Sequence, residues 1–493
     1  MTAVRALVML VVVGCGGDDG GRDGAGGDGS VGDGGGAGCA PPCARAAFNM
    51  VGPEGNDVFL VDLSGVEPAA PVRVTTESVM SAQLTGPRLV WAPSALALAF
   101  DADGGIFYVD LSGPVPGVPR AIVPEGFGAG WRFAWTADSR WIVFESEDAE
   151  GRRPTWAVDV SGGSPAEAIE LGERGLLSGP FGQVPAHPSV SGVFLYGVTW
   201  VDLSGETPTM VQVDLPDDGP EVSWSPTGEH LAVYDGTLGV VAFDGTDFGP
   251  LRELGSVPSI YNDRYRWSPD GTRIAYRTDG RPRIADLSED PLDTFPVGNM
   301  NTRGIVGWLD DDRIALDGGL DVLTVEVQQS SAGTPESATM GLGANDWALS
   351  RDGGALAFLT IVGEEDGVPH VVELDGESAP RHLAETGSTH AEFSPSSTRV
   401  LFGLYEDSMT AWMITERSGD GPAVSTGIVI PTSRGIYVWS PEDDRVLWRK
   451  DVLDRVGELY YTDLRGETPG PAIRIAPAGD DRNVGEFAWA PAR

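Results

Sequence analysis

Along most of this chain apolar and polar positions alternate with a period of two, in short runs broken by turn residues. Arg273-Ile274-Ala275-Tyr276 is one such run, and a strict alternation of this kind predicts a half-buried strand. Just before it stands Trp267-Ser268-Pro269-Asp270-Gly271. Pro269 presets φ for the second position of a tight turn, Asp270 suits the third, and Gly271 releases the chain into the next strand. The stretch reads as a strand end, a turn and a new strand.

The module recurs. Units start at Trp91, Trp135, Trp224, Trp267, Trp308, Leu349, Phe393, Trp439 and Trp489. Neighbouring starts lie 41 to 50 residues apart, except Trp135 to Trp224, whose 89 residues hold a degenerate unit near Ala186-His187-Pro188. A second landmark follows the start: a strand ending in an acidic residue and a turn, as in Val109-Asp110-Leu111-Ser112-Gly113, Val201-Asp202-Leu203-Ser204-Gly205 and Thr462-Asp463-Leu464-Arg465-Gly466. Helical periodicity is almost absent. Four short strands per ~44 residues predict an all-β fold, a β-propeller of four-stranded blades. The anchor aromatics are expected to be core between blades, since each can bury roughly 150–250 Å².

The two ends of the chain complement each other. Ala47-Phe48-Asn49-Met50 and Val58-Phe59-Leu60-Val61-Asp62 are middle strands of a blade that lacks its start, and Phe487-Ala488-Trp489-Ala490-Pro491 is a start with nothing after it. Pairing the two would close the propeller and remove its exposed sheet edges. Nine internal units and this composite predict about ten blades. A smaller ring with one unit miscounted, or two tandem rings, are the other arrangements that the count allows.

Trp-Ser-Pro-Asp-Gly, an Ile-Ala-Tyr strand and a strand ending in Asp-Leu-Ser-Gly together resemble the repeat of TolB-like propellers, over nearly all of residues 46–493. The resemblance implies a bacterial envelope protein. The additional N-terminal α/β domain of that family has no counterpart here; residues 16–38 are instead a tether with 13 glycines and five aspartates. A Gly-rich coil of that length reaches about 26 Å.

The first residues place the chain. Arg5, the short apolar run Ala6–Val13 and Val12-Val13-Gly14-Cys15 resemble a lipoprotein signal, which predicts a signal peptide over 1–14 and lipidation of Cys15. An ordinary secretory signal is the other reading of the same residues. Gly16 stands where an aspartate would mark inner-membrane retention, which favours the outer membrane. Residues 15–43 then form the lipidated tether and 44–493 the propeller. Cys39 and Cys43 are expected to form a disulfide in an exported protein, a free or redox-active pair being the alternative.

Charge narrows the partners. The chain carries 73 acidic against 33 basic residues, a formal charge of −40, and Lys450 is its single lysine. This argues against nucleic acid or an anionic membrane bound through a basic face and favours cationic partners. A monomer is expected, held to the membrane by its anchor and recognising an envelope protein or peptide.

Candidate chemistry is sparse. No Gly-x-Ser-x-Gly elbow occurs, and Ser350-Arg351-Asp352-Gly353-Gly354 matches only half of a sialidase turn, so no catalytic residues are assigned. Asp101-Ala102-Asp103-Gly104 and Asp310-Asp311-Asp312 read as turns, with calcium as the alternative. His370, His382 and His390 lack the spacing of a zinc site. The most site-like stretch holds Tyr261, Arg264, Tyr265 and Arg266, residue types enriched at binding hot spots; Arg152 and Arg153 form a second, loop-borne candidate. The sequence therefore predicts a non-catalytic binding or scaffold module without a cofactor. The alternative is a carbohydrate-active or lactonase-type propeller enzyme with carboxylates, and calcium, in its central channel.

Overall fold

The computed structural model describes residues 44–491 except 53–54, 66, 77–87, 103, 114, 174, 177–185, 196–198, 217–219, 258–264, 289–291, 298–301, 303, 345, 361–366, 386, 407–408, 420, 432–435, 452–456, 467 and 476–482. Cys15, Cys39 and Cys43, like the rest of residues 1–43, lie outside the described residues.

The repeat units fold as ten blades of antiparallel strands arranged as a β-propeller. In the sixth blade Tyr265–Trp267 pairs with Arg273–Thr278, that strand with Arg281–Asp286, and the last with Asp293–Pro296. The Trp-Ser-Pro-Asp-Gly turn joins the first, innermost strand to the second. Outermost strands such as Thr209–Gln212 are exposed along their whole length. Middle strands are buried on both faces, because each blade has a neighbour on either side. In Ala355–Leu359, Leu356 and Phe358 pack with Leu309 and Val322 of the preceding blade, while Ala355, Ala357 and Leu359 pack with Ala391 and Val400 of the next. Alternation along the strand thus divides apolar residues between two cores.

Each turn is held by its own polar groups. Ser268 Oγ accepts from the Arg273 amide at 2.9 Å and donates to Asp270 Oδ1 at 2.6 Å. Gly271 has φ +71°, and the equivalent residues Ala95, Ser139, Ser397 and Asp443 share this left-handed backbone. A side chain is strained there, but three of the four use it to reach the preceding blade. Ser94 N donates to Ser139 Oγ at 2.8 Å, Arg351 N to Ser397 Oγ at 2.8 Å, and Ser396 N to Asp443 Oδ1 at 2.9 Å. The Asp-Leu-Ser-Gly landmark has an equally local cause: Asp110, Asp202 and Asp286 each accept the amide two residues on and so fold the chain back.

The degenerate unit is a blade, described through Gly192–Leu195, Thr199–Asp202 and Thr209–Gln212. His187 stands where other turns have serine. Its Nδ1 accepts from the Ser189 and Val190 amides at 3.1 and 2.7 Å, so Nε2 carries the proton and donates to the Gly228 carbonyl at 3.1 Å. Burial lowers its pKa and keeps it neutral.

The ends close as the sequence predicts. Asn483–Trp489 pairs antiparallel with Arg45–Gly52, with Phe48 opposite Phe487 and Ala46 opposite Trp489. The same strand touches the last blade through Gly457 opposite Val484, which merges the first and last blades into one sheet.

The anchor tryptophans also link blades through their indole N–H. Trp135 donates to the Val90 carbonyl at 3.1 Å, Trp308 to Arg266 at 3.1 Å, Trp489 to Val438 at 2.9 Å and Trp91 to Ala488 at 3.3 Å. Each acceptor immediately precedes the anchor of the blade before. Trp224 and Trp267 depart from the pattern: neither Nε1 has a partner among the described residues, and Trp267 is only half-buried. The expectation of a buried core residue is corrected at Trp267 and at Phe393, which is also half-buried.

Arginine side chains tie neighbouring blades together. Arg273 joins Asp286 of its own blade (3.3 Å) to the Asp311 carbonyl and Asp312 of the next (2.7 and 3.0 Å). Arg399 joins Glu416 (3.1 Å) to the Leu464 carbonyl (2.9 Å), and Arg465 donates to the Gly65 carbonyl at 2.8 Å across the closure. One planar guanidinium can serve two blades at once, which an ammonium on a flexible stem does poorly.

Candidate functional site

Two consecutive blades lack the anchor tryptophan: the eighth has Leu349 and the ninth Phe393, both half-buried. On their innermost strands, Asp346–Leu349 and Ser388–Phe393, a polar group is gathered. His390 Nδ1 lies 3.6 Å from Asp346 Oδ2, and its Nε2 lies 3.6 Å from Glu392 Oε2. Glu392 reaches on to the tenth blade, accepting the Trp439 indole N–H at 2.8 Å. That indole takes a carboxylate where Trp91, Trp135, Trp308 and Trp489 take a backbone carbonyl. The Tyr437 phenol also lies within reach of the Glu392 charge. Trp412 closes the group, edge-on to Tyr437 at 4.5 Å and to His390 at 6.4 Å between ring centres.

Electrostatics fix the charge states. Burial by itself would lower the His390 pKa, but the paired Asp346 and Glu392 carboxylates raise it to about 9. Burial, and then the Glu392 charge, push the Tyr437 phenol well above its usual value. The His390 ring is thereby favoured in its imidazolium form. The His390 side chain is 41% exposed, so solvent reaches it. An imidazolium already holds the proton that a general base must accept. The geometry suits binding a cationic or hydrogen-bonding group.

The residues singled out by sequence take other places. Tyr261, Arg264 and Asp103 lie outside the described residues. Tyr265 is 8% exposed and belongs to the core between the fifth and sixth blades. Arg266 is half-buried, and its Nη1 donates to the Tyr265 carbonyl at 3.2 Å. Arg152 and Arg153 pair with Asp148 (2.6 Å) and Glu147 (3.1 Å) on their own hairpin. In the run Asp310–Asp312, Asp310 pairs with Arg313 at 2.7 Å, Asp311 accepts the Asp270 amide at 2.9 Å, and Asp312 pairs with Arg273. His370 stacks on Phe358 and meets His382 edge-on. Among the described residues no group of three or more His, Cys, Asp or Glu is placed to hold a metal ion.

A separate cleft of roughly 450 Å³ lies between the ninth and tenth blades, with Ile414, Val424 and Leu464 beside Arg399, Glu416 and Arg465. Both guanidiniums are engaged in the blade contacts described above.

No protein-family model matches the chain, and no curated protein matches its sequence. Solved structures do. The crystal structure of a eukaryotic initiation factor is 9% identical with a TM-score of 0.50, over 92% of this chain and 99% of that one. A putative TolB from Agrobacterium tumefaciens is 17% identical with a TM-score of 0.26, over 49% of this chain and 95% of that one. An oligogalacturonate lyase in complex with manganese is 13% identical with a TM-score of 0.35, over 77% and 96%. At these identities a likeness speaks to fold alone. The class is that of a large β-propeller.

Proposed function

We propose that this protein is an envelope lipoprotein, fixed to the outer membrane through Cys15, whose propeller is a non-catalytic binding module for a protein or peptide partner of basic character. One observation carries the reading. Arginines such as Arg273, Arg399, Arg417 and Arg465 are tied to carboxylates and carbonyls of their own and neighbouring blades. Acidic residues outnumber basic ones by 73 to 33, so the charge left over is negative. Such a surface attracts cations and repels nucleic acid and anionic lipid. The tether, with its Cys39–Cys43 disulfide, gives the module reach from the membrane.

The alternative, an enzyme with channel carboxylates, draws on the Asp346–His390–Glu392 trio. A histidine held protonated works against a base role, and the same trio serves binding.

The test is cross-linking on intact cells with the wild-type chain and with Cys15→Ser. The reading expects a basic envelope protein to be captured by the wild type, less so by the unanchored variant, and capture to fall with rising salt. Capture unaffected by Cys15→Ser and by salt would refute it.

A further inference from the structure

On the seventh blade three large apolar side chains are exposed on neighbouring segments. Leu320 is 62% exposed, Met340 56% and Leu342 46%. They are carried by two segments of the seventh blade. Leu320 lies in the turn between Arg313–Asp317 and Val322–Gln328, and Met340 and Leu342 lie in the connection from Glu336–Ser337 to the next blade. The segments are bonded to each other. The Ala344 amide donates to the Leu320 carbonyl at 3.1 Å, the Ala338 amide to Val322 at 2.8 Å, and the Thr339 hydroxyl to Asp321. Ala338, Thr339 and Ala344 are buried beneath, at 9%, 0% and 1% exposure. Met340 is held in a left-handed backbone, φ +51°, where a bulky side chain is strained. An ordered, pinned loop therefore presents three apolar side chains to water, and one of them at a conformational cost.

Topology says which way this surface points. The N-terminal segment enters the propeller at Arg45, the start of a second strand, and so at the end where the Trp-Ser-Pro turns lie; the Ala490 amide donates to the Arg45 carbonyl there. Leu320 sits after a second strand and the 338–344 connection leads into a first strand, so both lie at the opposite end. The surface faces away from the point of tethering.

Charge says what would cover it. Asp317 and Asp321 bracket Leu320, Glu336 opens the other segment, and neither 317–321 nor 336–345 contains a Lys, Arg or His. The chain's own tether is acidic and rich in glycine, and a second copy would bring another −40. We infer that the Leu320–Met340–Leu342 surface is the docking site for a basic segment of a partner protein that carries apolar side chains. Methionine and leucine supply adaptable apolar contact, and the flanking carboxylates select the charge. The inference rests on the binding-module reading and names the place and chemistry of its partner.

The experiment titrates the full chain with a fluorescein-labelled peptide of alternating lysine and leucine, and with its glutamate–leucine counterpart. The lysine peptide is expected to bind and the glutamate peptide not to. The triple variant Leu320→Ser, Met340→Ser, Leu342→Ser should weaken binding at least tenfold with an unchanged melting temperature. The single variant Leu320→Lys, introduced at the most exposed position, should weaken it as well. Equal binding by wild type and triple variant would overturn this surface while leaving a binding function elsewhere on the propeller. Wild type that ignores the lysine peptide would overturn the partner chemistry. Loss in the triple variant of self-association, or of sedimentation with phosphatidylcholine vesicles, in place of peptide binding would assign the surface to a second copy or to lipid and overturn the inference too.

Discussion

At the end of the propeller that holds the Trp-Ser-Pro turns, polar chemistry joins neighbouring blades. Arg273 meets Asp311 and Asp312, Arg399 meets Leu464, Arg465 meets Gly65, and hydroxyls or carboxylates at the left-handed turn position receive amides from the blade before. At the other end, on the seventh blade, Leu320, Met340 and Leu342 stand in water. One end is framework, repeated from blade to blade. The other carries an apolar surface on one blade that its own neighbours do not cover.

The strongest way to break this contrast is to cut the closure. A stop codon after Asn483 removes Phe487 and Trp489 and leaves Arg45–Gly52 without a partner on one side. Emptying the Trp489 site alone costs about 3–5 kcal/mol, so the truncated chain should melt far below the full one and self-associate through its open edge in size-exclusion chromatography. A monomer with an unchanged melting curve would mean that closure is not the framework.

A sharper comparison sets two anchors against each other. Trp135 is 5% exposed and donates to the Val90 carbonyl, so Trp135→Ala should cost about 3–5 kcal/mol in urea unfolding. Trp267 is half-buried with an unpartnered Nε1, and Trp267→Ala should cost less than half of that. Equal losses would show that the indole bond contributes nothing distinctive.

The smallest effect belongs to His390. Its folded pKa of about 9 lies above the ordinary 6.5. The stability it contributes is therefore fully present below pH 6.5 and is lost as pH rises through 9. His390→Gln should flatten the fall in unfolding midpoint between pH 6.5 and 9 relative to wild type, with little change at pH 10. Parallel pH profiles for the two proteins would remove the ion pairs from the description.

Fold was legible in the sequence because its determinants are local. Ser268, Asp270 and Gly271 build their turn from neighbours within five residues, and Asp110, Asp202 and Asp286 fold back on amides two residues away. The inter-blade contacts were not legible. Arg273 and Asp311, or Arg399 and Leu464, lie 38 and 65 residues apart and meet only once the propeller exists. The same holds for Asp346, His390 and Glu392, which belong to two blades. A signal was nevertheless present: two successive units, at Leu349 and Phe393, had lost the tryptophan that most others keep. Tyr265 misled for a related reason. On a three-residue innermost strand both faces look toward neighbouring blades, so a tyrosine that reads as a surface anchor is buried between them.

Composite closure also has a mechanical meaning. Any pull on the N-terminal segment enters the propeller at Arg45, on a strand bonded along one side to Gly55–Asp62 and along the other to Asn483–Trp489. Tension along that strand loads both ladders in shear, so many hydrogen bonds resist together and none can be peeled off first. Were Arg45–Gly52 an edge strand, it would be held along one side only. Clasping the entering strand between two others gives the N-terminal entry point two ladders with which to bear a load.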